Sequence, residues 1–156
     1  MKGISLHSGV QKKRRQPLVS IHWDYQNISK AAIAEHVLSF ASSLGNVVTR
    51  KAYSNWEASR KPKQVLESLD FECIHVAQRI KNAVDFKLVI DCTCECSSYL
   101  SPDIVIIICG DGYGEILLDE LQLKRKKVII VARKGSENKN LHELADKFYY
   151  VDELPN

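Results

Sequence analysis

Residues 103–109 read DIVIIIC, six consecutive apolar residues after an aspartate, and a glycine-rich turn, GDGYG, follows at once. A strand that faces water on one side alternates polar and apolar residues. An unbroken run leaves no face for water, so it belongs to a strand covered on both faces, as in a parallel sheet. KKVIIVA, Lys126–Ala132, repeats the pattern, with helical spacing over Tyr113–Leu123 between the two. Parallel neighbours need such a crossover.

The rest of the chain keeps the same rhythm. Leu18–Trp23 alternates Val19, Ile21 and Trp23, read as inward, against Ser20 and His22, and ends at Asp24. A helix capped by Asn27 or Ser29 should carry Ala31, Ile33, Ala34, Val37, Leu38 and Ala41 on one face until Gly45 stops it. Val47–Tyr53 reads as a strand, Lys61–Leu69 as a helix with Pro62 in its first turn, and Phe71–Ala77 as a strand. Ala83–Cys92 has helical spacing, Asn140–Lys147 makes a short helix, and Phe148–Val151 is a candidate edge strand. This alternation implies a three-layer α/β fold: a doubly wound, mostly parallel sheet of five or so strands with helices on both faces. Residues 18–156 form that one domain, and residues 1–17 form a basic, flexible tail.

Charge separates the two parts. Five of the 22 bases and none of the 19 acids lie in residues 1–17 (Lys2, Lys12, Lys13, Arg14, Arg15), so the remainder carries 17 bases against 19 acids. The tail is either a solubilising leader or a phosphate-attracting arm. No apolar run approaches the ~20 residues of a membrane span, and the N-terminus lacks the apolar stretch of a signal peptide. With an odd number of cysteines, five, the chain suits a reducing cytoplasm and no membrane. Cys92, Cys94 and Cys96 alternate, whereas structural zinc sites space thiolates two to four residues apart, so they read as a cysteine-rich helix end and loop.

Acids fall where chemistry needs them. In open α/β sheets ligands gather beyond the carboxyl ends of strands, the place that Asp24 and Asp111 occupy. Asn27 follows Asp24 by three residues, Asp85 opens a helix with Asp91 six residues on, and Glu115 lies one helical turn beyond Asp111. Mg²⁺ takes hard oxygen ligands, usually one or two carboxylates completed by water and substrate phosphate. Taken singly, each acid also reads as a cap, a turn residue or a surface ion pair; their convergence on one sheet edge favours a metal site. GDGYGE is not a dinucleotide fingerprint, because the sixth position of G-x-G-x-x-G is Glu115, whose charge repels pyrophosphate.

These strings carry a resemblance. VSIHWDYQNI resembles the opening strand of NYN domains, with an aspartate and, three residues later, an asparagine. KNAVDFKLVIDC is similar to the helix that supplies a further acid, DIVIIICGDGYGEILLDEL to the strand and turn usually written S-G-D-x-D-F, and KKVIIVARKG with NLHELADKFYYVDEL to the closing strand and helix. The likeness spans about residues 18–155 and has the look of the bacterial LabA-like branch. NYN domains share the PIN-like nuclease fold, so the resemblance implies a Mg²⁺-dependent ribonuclease, with Mn²⁺ an alternative ion. It puts Asp24, Asp85 and Asp111 in the metal cluster, Asn27 beside it, and Glu115 among the catalytic residues.

One departure is plain: Tyr113 stands where the commoner pattern has a second aspartate, and Gly114 where it has phenylalanine. NYN ribonucleases of the Regnase type resemble D-N-Y-R-D here, with an acid at the position of Glu115. Two readings follow, an active ribonuclease in which Glu115 restores the charge, and a silent module binding RNA or a protein partner. The substrate expected is RNA, single-stranded, with Arg79, Lys81 and Tyr113 on the phosphate side and Trp23, Tyr25, Tyr53 and Trp56 as candidate stacking rings, Trp23 more simply a core residue. A homodimer or a dedicated protein regulator completes the partners such a domain can take.

Overall fold

The computed structural model describes residues 15–110, 113–135 and 138–156. Lys2, Lys12, Lys13 and Arg14 of the basic tail and the candidate ligand Asp111 lie outside them. Six strands, β1 (Leu18–Asp24), β2 (Asn46–Ser54), β3 (Glu72–His75), β4 (Ile104–Ile108), β5 (Lys127–Ala132) and β6 (Lys147–Tyr150), form one sheet in the order β3-β2-β1-β4-β5-β6. Every pairing is parallel. The expected final edge strand is therefore present as β6, and both outermost strands are short.

Five helices, α1 (Ala34–Leu44), α2 (Arg60–Ser68), α3 (Ala83–Cys96), α4 (Tyr113–Leu123) and α5 (Lys139–Leu144), connect the strands. Val37, Phe40 and Ala41 of α1 and Leu66 of α2 pack on Val19, Ile21, Trp23, Ile106 and Ile129. Leu88 and Cys92 of α3 and Leu117, Leu118 and Leu121 of α4 pack on Val105, Ile107, Val128 and Ile130. The period-2 geometry of the strands thus feeds two separate cores, and all five residues of β4 are buried, as the unbroken apolar run implies.

Four expectations change. Ser20 and His22 do not face water: both are fully buried, because β1 lies in the middle of the sheet and α3 covers the face they occupy. Helix α1 starts later than Asn27 or Ser29, after a 3₁₀ turn at Ala31–Ile33, and neither residue caps it. Helix α3 does not end at Cys92 but continues to Cys96, since Leu88, Cys92 and Cys96 extend one buried stripe at i,i+4 spacing. The three cysteines are accordingly helical, Cys92 and Cys96 buried and Cys94 exposed, and all are free thiols. The last helix ends at Leu144 rather than Lys147, which starts β6.

Gly45 ends α1 for a steric reason. A Cβ there would lie 2.2 Å from the Pro17 carbonyl oxygen, which itself accepts the Asn46 N–H at 2.8 Å. The chain can turn into β2 beneath residue 17 only where no side chain intervenes.

Polar side chains on the α3 face of β1 are satisfied by one network. Glu95 accepts from the Ser20 hydroxyl at 2.8 Å, lies 2.6 Å from His22 Nε2 and also accepts the Thr49 hydroxyl. His22 Nδ1 meets the Tyr53 hydroxyl at 2.9 Å, and Tyr53 in turn bonds Asp91. Asp91, a candidate for either metal binding or helix capping by its position, therefore belongs to this network, and also pairs with Lys87 at 2.9 Å.

Candidate active site at the carboxyl edge of the sheet

Asp24 is the last residue of β1, on the same side as Ser20 and His22, and only 1% of it is exposed. One carboxylate oxygen accepts the Asn27 backbone N–H at 3.1 Å, closing a tight turn after the strand. The other accepts the Tyr113 hydroxyl at 3.0 Å, from the first turn of α4. Burial, with neighbouring Cys109, Asp24 and Asp85 and the bond to Asp24, pushes the Tyr113 phenol far above its ordinary value. It therefore stays protonated and donates. Tyr113 is thus a partner of Asp24, sitting where the commoner pattern has an aspartate.

A cleft of about 560 Å³ opens at this edge, lined by Asp24 and Asn27 from β1 and its turn, by Arg79 and Lys81 from the segment after β3, and by Asp85 from α3. Five of the residues singled out from sequence therefore share one cavity, although up to 61 positions separate them. The first residues of α3, Ala83 to Asp85, form part of the wall, so the positive end of that helix dipole borders the space. Asn82 turns the chain into α3 with φ 61°, a left-handed conformation that asparagine tolerates.

Two further polar atoms need a partner: Asn27 Nδ2 and Glu115 Oε1 are buried with no hydrogen-bond partner among the described residues. Burial of such atoms is costly unless something answers them. Asn27 offers a donor beside Asp24, suited to a phosphate oxygen. Glu115 is not among the residues lining the cleft. Among the described residues no three His, Cys, Asp or Glu side chains cluster as a metal set. Asp24 and Asp85 are the two carboxylates among the described residues lining the cleft, and carboxylate oxygens are the hard ligands, one or two per protein site, that Mg²⁺ commonly takes.

Of the four candidate rings, Trp23 keeps its simpler reading and the others depart from the stacking expectation. Trp23 is core, and Tyr53 and Trp56 are buried too, because Tyr53 answers His22 and the Trp56 indole donates to the Ile74 carbonyl at 3.0 Å. They are not open to stacking on bases, and Tyr25, which borders a cavity, is itself only 3% exposed, packed 4.8 Å from Trp56 between ring centroids. Sequence reasoning passed over Gln26 and Gln78, which also line the cleft. The only local signal was their position, beside Asp24 and just before Arg79.

The NYN domain model matches residues 18–152. The chain belongs to the NYN family. NYN domains are PIN-like, and membership supports a nuclease role connected with RNA. This NYN domain is also similar in fold to the crystal structure of a protein of unknown function, VPA0982, from Vibrio parahaemolyticus RIMD 2210633. The TM-score is 0.69 at 22% identity, covering 92% of this chain and 99% of that one. No curated protein matches its sequence. Gly114, the other departure from the commoner NYN pattern, has a packing reason: a Cβ there would meet Leu141 of α5 at 3.0 Å and Cys109 Sγ at 3.5 Å. No helix among the described residues is long and apolar enough to cross a membrane.

Proposed function

We propose that this NYN domain is a Mg²⁺-dependent ribonuclease that also accepts Mn²⁺ and cuts single-stranded RNA. The observation that carries the reading is the shared cleft: a buried carboxylate at the end of the central strand, a second at the start of α3, and two cations between β3 and α3. Asp24 and Asp85, joined by Asp111 after β4, would hold the ion. When bound, it supplies positive charge for the phosphoryl oxygens and lowers the pKa of an attacking water. Arg79, Lys81 and the α3 N-terminus orient the phosphate, and Asn27 Nδ2 donates to it. The Asn27 backbone N–H and the Tyr113 hydroxyl fix the Asp24 carboxylate in one rotamer. Glu115, in the first turn of α4, is the candidate to stand in for the aspartate that Tyr113 replaces.

Incubation of labelled single-stranded and duplex RNA with the purified protein tests this. Cleavage of the single strand with Mg²⁺ or Mn²⁺, abolished by EDTA, is expected; cleavage indifferent to EDTA removes the metal from the mechanism. One observation favours the rival, a silent RNA-binding module: Tyr113 already occupies an Asp24 oxygen. RNA retained intact in every metal would establish it.

If the cation binds the oxygen that the Tyr113 hydroxyl occupies, phenol and cation compete there. Tyr113→Phe leaves a buried carboxylate short of one hydrogen bond, costing about 1–3 kcal/mol without metal. Added Mg²⁺ should then raise Tm more in the variant than in the wild type, because only the ligand-free state was weakened. An equal response in both proteins would show that the two do not share the oxygen.

A further inference from the structure

Next to the acidic cleft, and continuous with it through Gln26 and Gln78, is a second hollow of about 320 Å³, within the range of small-ligand sites. Its character differs. The first cavity holds charges of both signs, whereas the second is bounded by Tyr25, serines, Asn55 and the two glutamines, with no charged side chain among the described residues lining it. A nucleotide is divided in the same way, into a charged phosphate and a neutral base with donors and acceptors on its edge.

Gln26 has a fixed orientation. Its side-chain oxygen accepts the Ser54 hydroxyl at 2.9 Å and the Asn55 backbone N–H at 3.1 Å. A backbone N–H can only donate, so the amide oxygen must face Asn55 and the NH₂ group must face away. That NH₂ has no partner among the described residues, and Gln26 is exposed at the junction of the two cavities. The protein therefore presents a pair of donors, with the acceptor already used, beside the place where a phosphate would bind.

We propose that this hollow receives the base attached to the phosphate in the acidic cleft, and that the Gln26 NH₂ contacts its exocyclic 4- or 6-position, so that uracil and guanine, with an accepting oxygen there, are selected over cytosine and adenine, with a donating amino group there. The proposal rests on the cleft being the phosphate site of an RNA-acting domain. An amide whose oxygen were free would accept from amino groups as well and would discriminate less. Here Ser54 and Asn55 remove that option. Gln78, at the same junction, adds a second amide, while Tyr25 borders the hollow as a buried wall packed on Trp56.

Titration of ¹⁵N-labelled protein with UMP, GMP, AMP, CMP and ribose 5-phosphate in Mg²⁺, followed by NMR at the Gln26 side-chain NH₂, reads this directly. UMP and GMP should shift that resonance and bind about tenfold more tightly than AMP and CMP, roughly the worth of one well-placed hydrogen bond. Gln26→Ala should level the four affinities. Gln26→Glu keeps an acceptor for Ser54 and Asn55 but turns an oxygen toward the base, so the order should reverse in favour of AMP and CMP. Four equal affinities in the wild type, or a preference unchanged in both variants, would overturn the proposal; backbone resonances report whether each variant is folded. Cleavage is measured separately. A protein that discriminates among the nucleotides yet cuts no RNA keeps the base site and loses the reaction, and one that cuts RNA without discriminating does the reverse.

Discussion

Asp24→Asn should reduce Mg²⁺-dependent RNA cleavage by roughly 10²–10³-fold, equivalent to about 3–4 kcal/mol of transition-state stabilisation. The substitution is nearly isosteric. The amide oxygen can still accept the Asn27 N–H, and the Tyr113 hydroxyl can rotate to accept from the new NH₂, so the turn after β1 is kept. What is lost is the one negative charge buried at the end of the central strand. Removing a buried charge also removes its desolvation penalty, so metal-free Tm should stay level or rise. The Mg²⁺-induced rise in Tm should vanish. Cleavage within threefold of wild type would remove Asp24 from the reaction, and a collapse of Tm would show its role to be structural.

Glu95→Gln should destabilise the fold by about 3 kcal/mol, lowering Tm by roughly 6–12 °C. Burial opposes ionisation of Glu95, yet the bond to His22 with its charge, and the hydroxyls of Thr49 and Ser20, outweigh it and hold the carboxyl down to about 2 from 4.5. The sign is fixed by that direction. A carboxyl depressed in the folded state contributes fully above pH 4.5, and the contribution drains away as pH falls toward 2. Chemical denaturation across this window should find the wild type converging on the variant at low pH. A gap that is constant with pH would mean that Glu95 acts through packing alone.

The same network shows where reading the sequence stops. In isolation, VSIHW has the alternation of a half-exposed strand, and nothing local says that β1 lies in the middle of a sheet covered on both faces. The partner of His22 is 73 residues away on a helix. A usable signal was there: Glu95 sits seven residues beyond Leu88 and three beyond Cys92, on the stripe α3 buries. By contrast, DIVIIIC and KKVIIVA located β4 and β5 to within a residue, because so short an unbroken apolar run beside a glycine turn fits a strand buried on both faces and little else. Asp24 and Asp85 were legible together since strand ends and helix starts meet at one edge in this topology. The amide hollow was not, because glutamine and serine are ordinary loop residues and only Gln26's clamped oxygen distinguishes it.

Both outermost strands, β3 and β6, are four residues long, and charged Glu72 and Lys147 open them. So brief a ladder gives an incoming chain few main-chain groups to template on, and a lysine on the margin resists being sealed beneath a neighbour. The sheet is thereby terminated laterally, which guards an Ile- and Val-rich interior against fibrillar growth when the protein is abundant.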